Sequence, residues 1–242
     1  MNMFLATKEN IPSGLGFSTF GLTHILWLLA IAAFWVLAVI LYKKADPQKR
    51  KKGLFILGIV TVLLELSKVI LMLSIGEFML DFLPFHLCGI NILLIAFDLI
   101  KKTKVVRHFI YYFSIPGALL ALLFPNWTML PCMNFSHIHS FVMHAFLVLY
   151  PLLLVVEGEV EAKLSGLLKS LALLVLMAIP IYFLNILLGT NFMFLMSPET
   201  GNPLGLFESL LGNHLWGFPI LLPPVMAVMY IPLLILKKIR SK

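Results

Sequence analysis

Two residues of this chain are best placed to do chemistry. They are Cys88, in Leu83-Pro84-Phe85-His86-Leu87-Cys88-Gly89-Ile90-Asn91, and His144, in His137-Ile138-His139-Ser140-Phe141-Val142-Met143-His144. A thiol attacks as the thiolate, and a free cysteine ionises only near pH of about 8.5, so at neutral pH it needs a base to take its proton. If both segments are helical, Pro84 fits a first helical turn and Cys88 lies about 8 Å below Leu83, while His144 lies about 10 Å inside its own helix. The depths agree, so a Cys–His contact between the two helices is geometrically open. Cys88 and Asn91 share a face. His86, about 200° round the helix from Cys88, is expected to orient something else. In the second segment, positions 137, 140, 141 and 144 share a face and His139 points away from it.

Other polar residues sit in apolar surroundings. Glu65 and Lys68 are three apart on one helical face, and an ionised side chain near a bilayer centre costs about 2.5–3.5 kcal/mol, so they are expected to pair or to face a cavity. Asn91, Asn185 and Asn191 are amides able to donate to a developing oxyanion. A recess lined by His86, Cys88, Asn91, His137, His144 and Asn185 is expected, with His24 and His214 toward the same face. The bland reading is that a lone membrane cysteine is an inert small hydrophobe and an intramembrane ion pair is structural. A metal centre is not expected, because no His-x-x-x-His pair occurs on a helix and no carboxylate stands near to orient a ligating imidazole. Nor is a cofactor. A Cys88–Cys132 disulfide would disable the nucleophile, and Cys132 is read as a loop thiol.

The elements that must carry these residues are membrane helices. Hydrophobic residues make up 61% of the 242-residue chain and charged residues 12%, a composition suited to lipid and not to water. Seven continuous apolar stretches, at 22–42, 53–75, 83–100, 108–125, 137–156, 164–188 and 215–236, reach or approach the roughly 20 residues that cross about 30 Å of hydrocarbon. They are continuous and do not alternate, which points to helices and away from a barrel. The expected fold is all-α, a single domain over 1–242 with seven transmembrane helices. Lys43, Lys44, Lys49, Arg50, Lys51, Lys52, Lys101, Lys102, Lys104, Arg107, Lys163, Lys169, Lys237, Lys238, Arg240 and Lys242 are 16 of the 18 basic residues. They fall on one side only if seven spans run from an outer N-terminus to a cytoplasmic C-terminus in the cell membrane. The net charge of +7 is therefore topological, and no nucleic-acid partner is implied. The first 21 residues lack the features of a cleaved signal peptide. The segment 189–214 reads as a structured loop, and the unlike halves argue against an inverted-repeat transporter.

Leu-Pro-Phe-His-Leu-Cys at 83–88, the His-rich start at 137 running to Tyr150-Pro151, and Gly189-Thr190-Asn191-Phe192-Met193-Phe194-Leu195 leading to Leu210-Leu211-Gly212 and Trp216 resemble the YwaF-like bacterial integral membrane proteins. That family is similar, more distantly, to a eukaryotic transmembrane acyltransferase that remodels ether phospholipids and to the androgen-induced gene 1 family of membrane hydrolases. The resemblance implies a nucleophile and base embedded in the outer leaflet. Where many bacterial relatives carry an acidic residue after the cysteine, this chain has Gly89. The expected function is lipid acyl transfer or acyl-ester hydrolysis, with Cys88 as nucleophile, His144 as base and a membrane phospholipid or lysolipid as partner. The ester carbonyls of a phospholipid lie at about the depth read for both residues, and a site facing away from the cytoplasm favours a phospholipid donor over acyl-CoA. The alternative is a transporter or small-molecule-binding protein in which Glu65, Lys68 and the histidines form a polar pathway.

Overall fold

A computed structural model describes residues 3–7, 10–12, 14–198 and 203–241. The described chain is helical throughout. Helix α1 spans Leu22–Lys44 and α2 Pro47–Ser74, joined by a turn in which Asp46 caps α2 by accepting from Lys49 N at 2.9 Å and Pro47 opens the helix. Both residues are favoured there, because an N-cap carboxylate satisfies an otherwise unpaired N–H and proline has none to leave unpaired. Then come α3 (Leu87–Lys101), α4 (Lys104–Phe109) and α5 (Ile115–Leu123), the last two joined by a π turn over Ile110–Ser114. The π turn ends two residues before Pro116, whose ring and missing N–H a regular α ladder would not accommodate. Helices α6 (Phe135–Val156), α7 (Leu164–Leu188), α8 (Leu204–Leu211) and α9 (Gly217–Arg240) complete the bundle.

Six of these rods are long and apolar enough to cross a membrane: α1, α2, Lys104–Leu123, α6, α7 and His214–Arg240. The remaining expected span is a helix of 15 residues, α3, about 22 Å long. It starts at Leu87 and not at Leu83. Pro84 lies before the helix: the residue preceding it, Leu83, is held extended at φ −62°, ψ 143°, as the proline ring requires. The segment 189–214 holds more regular structure than a loop, with α8 and a 3₁₀ turn over Phe192–Phe194.

Burial sets the layers. Two thirds of the most apolar stretch of α6 and of the α4–α5 rod is buried, against 11–17% for α1, α2, α7 and α9. The outer four helices turn Leu, Ile, Val and Phe outward, a belt that only lipid solvates well. Inside, polar groups answer one another. Pro151 leaves the carbonyl of Leu147 without its helical partner, and Ser114 Oγ on the neighbouring π turn donates to it at 2.7 Å. Trp35 Nε1 donates to Ala145 O at 2.9 Å and Tyr111 OH to Met229 O at 2.8 Å.

One end of the bundle is ionic. Arg107 Nε donates to Asp98 Oδ1 at 2.8 Å, Tyr150 OH to Asp98 Oδ2 at 2.9 Å, and Arg107 also pairs with Glu159. Arg50–Glu157, Lys104–Glu161 and Arg240 on the Val155 carbonyl join the same end. These contacts bring the basic clusters following α1 and α3, preceding α7 and ending α9 to one face of the bundle; Lys242 lies outside the described residues. At the other end, Asn134 caps α6 and donates to the carbonyls of Met3 and Ala6, and Thr7 donates to Glu77, so the N-terminal segment straps that face.

Breaking the buried Asp98–Arg107 pair from one side leaves a stranded charge. Arg107→Met is expected to lower stability by about 3–5 kcal/mol, and the Asp98→Asn/Arg107→Met double variant by less. A double-mutant cycle on thermal melts in detergent measures this; strictly additive losses would refute the coupling.

Candidate functional site

The candidate residues gather where α2, α3 and α6 meet, at the end opposite the ionic one. Glu65 and Lys68 on α2 lie one turn apart and pair, with Lys68 Nζ donating to Glu65 Oε1 at 2.5 Å; both side chains are largely buried. The Lys68 ammonium also lies 5.8 Å from the centre of the Phe82 ring, in the short turn before α3. The other carboxylate oxygen, Glu65 Oε2, is 3.6 Å from His139 Nε2 on α6. That is beyond hydrogen-bond length, and His139 Nε2 is buried without a hydrogen-bond partner. Both charges of the pair are within Coulombic reach of Cys88. Lys68 is also within reach of His139 and His144, and the two histidines are within reach of each other.

Local structure fixes Cys88. His86 occupies the N-cap of α3 at φ −67°, ψ 155°, so Cys88 is the second residue of the helix, in its first turn and not a turn below its start. The first intrahelical bond runs from Ile90 N to His86 O, which leaves the N–H groups of Leu87, Cys88 and Gly89 directed out of the helix start. Gly89 is required by packing: a Cβ there would lie 2.6 Å from Pro84 Cα and 2.9 Å from Pro84 O. The turn at 83–86 folds onto the helix start, and that approach leaves no room for an acidic side chain. Cys88 is in no disulfide, and the residue is half-buried and packed against the core.

His144 is oriented by its own helix. Its Nδ1 lies 2.7 Å from Ser140 O, and the ring stacks on Trp127 at 5.3 Å and 12°. A carbonyl accepts only, so Nδ1 carries the proton and Nε2 keeps its lone pair. Asn91, on the same face of α3 as Cys88, donates to Leu87 O at 2.8 Å while its Oδ1 is buried without a partner.

The other expected lining residues are elsewhere. His137 points into an aromatic cluster, with Nδ1 3.1 Å from Leu130 O and Phe17, Trp27 and Phe141 rings about it. It is His139, expected to point away, that meets Glu65. His137 and His139 point to different sides of α6, and packing against α2 puts the His139 side against the charges. His24 accepts from Phe20 N through Nδ1 and faces Leu122 O through Nε2, and His214 Nε2 faces Phe194 O. Asn185 folds the chain after α7: its Oδ1 accepts from Phe192 N and Thr190 Oγ1, and its Nδ2 donates to Phe192 O. Asn191 closes the next turn through Met196, Ser197 and its own Nδ2. His86 meets the rings of Phe192 and Phe194 at 5.2 and 5.8 Å, which ties that segment to the start of α3.

Among the described residues no three His, Cys, Asp or Glu side chains come close enough together to hold a metal ion. Cys132, exposed in the loop before α6, is also a free thiol. Sequence reasoning took Arg107 only as a loop charge and Tyr150 only as part of a motif, and did not name Asp98; an acid inside an apolar stretch, nine residues before an arginine, was the available signal.

The fold defines a multi-pass helical membrane protein, with this polar cluster toward one end of the bundle and the Asp98–Arg107–Tyr150 network at the other. The chain belongs to the TMEM164 family, whose sequence profile matches residues 19–232. No curated protein and no solved structure matches it.

The tight approach at Gly89 makes a direct prediction. Gly89→Ala forces the 83–86 turn away from α3, and overpacking of this kind costs about 1–3 kcal/mol. The melting temperature should fall, and Cys88 should become more rapidly alkylated by a membrane-permeant maleimide than in the parent protein. Unchanged melting and labelling would show that the turn yields without cost.

Proposed function

We propose that this protein is a membrane-embedded lipid acyltransferase or acyl-ester hydrolase with Cys88 as nucleophile and His144 as base. The observation that carries the reading is that Cys88, at the start of α3, and His144, on α6, both lie within electrostatic range of the same half-buried Lys68 on α2. His144 Nε2, with its lone pair free, takes the thiol proton as Cys88 Sγ attacks the ester carbonyl of a phospholipid. The tetrahedral oxyanion draws on the N–H groups at the start of α3, where the helix dipole is also favourable. Collapse breaks the ester C–O bond, the lysolipid leaves with the proton from His144, and the acyl group remains as a thioester on Cys88. A lysolipid hydroxyl, deprotonated by His144, then attacks the thioester and restores the thiol; water in its place gives hydrolysis.

Glu65, Lys68 and His139 support that pair. The carboxylate and ammonium neutralise one another, which lets two charges lie within electrostatic range of the thiol in an apolar setting, and Glu65 faces His139 of α6 at 3.6 Å. Within this reading α3 and the turn before it form the remaining span, giving seven, with the N-terminus outside, the ionic end cytoplasmic and the cluster in the outer leaflet of the cell membrane. The basic clusters gathered at one end support that orientation.

A second reading is favoured by the same buried Glu65–Lys68 pair, since intramembrane charge also marks transport pathways. Proton uptake by reconstituted vesicles that is lost in Glu65→Gln would support it.

Cys88→Ala and His144→Ala are each expected to reduce acyl transfer between defined phospholipids in vesicles by about 10²-fold or more, and Cys132→Ala to leave it unchanged. The double variant should be no worse than the singles, because nucleophile and base act as a unit. Wild-type transfer by folded Cys88→Ala protein would overturn the covalent mechanism. Cysteines placed at positions 46 and 104 should be labelled from the cytoplasmic side only; labelling from outside would overturn the topology.

A further inference from the structure

Helix α8 is too short to span a membrane, yet it is not covered by the protein. Leu204 and Phe207 face inward, and a Cβ at Gly217, at the start of α9, would lie 2.5 Å from Leu204 and 2.9 Å from Phe207. One turn round the helix, Leu206 is 58% and Leu210 69% exposed, and Trp216, just beyond the helix, is 57% exposed. Glu208 and Ser209 occupy the third face, also exposed. The helix therefore has a packed edge at Leu204 and Phe207, an open apolar edge at Leu206 and Leu210, open polar residues at Glu208 and Ser209, and a further exposed leucine, Leu211, at its last position.

Its place in the fold says what covers the open apolar face. Helix α7 runs from the ionic end to Leu188, and α9 returns to it at Arg240, so α8 lies between them at the end that holds Cys88. The outward surfaces on either side of it, Leu187 at the end of α7 and Ile220 at the start of α9, are apolar and exposed. The open face of α8 thus continues the lipid-facing belt at its rim, while its polar face turns from it. A short helix with these faces lies in the plane of the interface, with its apolar side about 5–10 Å into the boundary between headgroups and acyl chains. Trp216 is of the type enriched at that level.

The same segment reaches the site. His214 Nε2 bonds to Phe194 O, and Phe192 and Phe194 pack on His86, two residues before Cys88. We propose that α8 is an interfacial helix whose apolar edge meets the leaflet and forms the lip over which a bilayer lipid passes toward His86 and Cys88. The lip's use by substrate rests on the acyl-transfer reading; the helix's seat in the leaflet does not.

The test uses the full chain in phosphatidylcholine vesicles, with single cysteines at Leu206, Ser209 and Leu210 carrying nitroxides in a Cys88→Ser/Cys132→Ala background. Relaxation at 206 and 210 should respond to oxygen and be shielded from a water-soluble nickel chelate, placing both about 5–10 Å below the phosphates, whereas 209 should respond to the chelate. If all three respond to the chelate, the helix lies in water; if 206 and 210 are shielded from both agents, protein covers it. Either result overturns the proposal. In the otherwise native protein, Leu206→Asn/Leu210→Asn should slow transfer from vesicle-resident phospholipid and spare transfer from detergent-dispersed phospholipid. An equal effect on both, with melting unchanged, removes the lip while leaving the depth result standing. Failure of the underlying reading is seen separately, as transfer retained by Cys88→Ala.

Discussion

Hydrocarbon offers no hydrogen-bond partner, and most of the interior of this bundle follows from that constraint. A prolyl residue at 151 frees the carbonyl of Leu147, and a serine on the adjacent π turn is placed to satisfy it. His24 and His214 are held in the same way, by carbonyls of other segments, and Asn185 by the backbone of the turn that follows it. A buried polar atom left unpaired costs about 1–3 kcal/mol, so the exceptions are informative. Among the described residues, Asn91 Oδ1, Trp127 Nε1, His137 Nε2 and His139 Nε2 are such exceptions toward the end that holds Cys88. Three of their residues touch or flank the charged pair, Cys88 or His144.

The sequence was most legible where hydropathy and charge decide. The apolar stretches and the basic clusters mark the long helices and their common ionic end, because lipid solvation and loop charge act on whole segments. Glu65 and Lys68 were legible as a pair because spacing on a helix is local. Which face of α6 meets α2 was not, since that depends on how two helices rotate against each other. For the same reason the sequence could not say that His139, and not His137, is the one of the two that meets the charges. Asn185 and Asn191 look like free amides in sequence, and only the fold of 185–197 shows their oxygens spent on backbone N–H groups of the same segment.

Pro84 and Gly89 show how a single turn reshapes the candidate site. A proline can open a helix, which places Cys88 a turn inside it; here Leu83 is extended and the chain turns back at Pro84 and Phe85 before the helix begins. The consequence is chemical as well as geometric. Cys88 moves to the second position of α3, where unpaired N–H groups and the positive end of the dipole stand nearest to the thiol. The same closeness of Pro84 requires Gly89. An acidic residue at 89 would need a different turn; the carboxylate within electrostatic range of Cys88 is Glu65, on α2.

The two buried polar clusters bear on the choice between catalysis and transport through what separates them. Along α3, Ile92 and Ile95 lie between Cys88 and Asp98; along α6, Leu147 lies between His144 and Tyr150; and Phe113 packs into the same core. All four are buried and apolar. A conduction path from the Glu65–Lys68 pair to the ionic end would have to hydrate this layer, whose side chains can offer water no hydrogen bonds, and would have to open a core helix to do it. The proposed lipid substrate would need no such path, since it would reach the cluster from the side and leave the same way. The packed layer therefore weighs toward chemistry confined to one end, with the Asp98–Arg107–Tyr150 network serving to hold the far ends of the helices together.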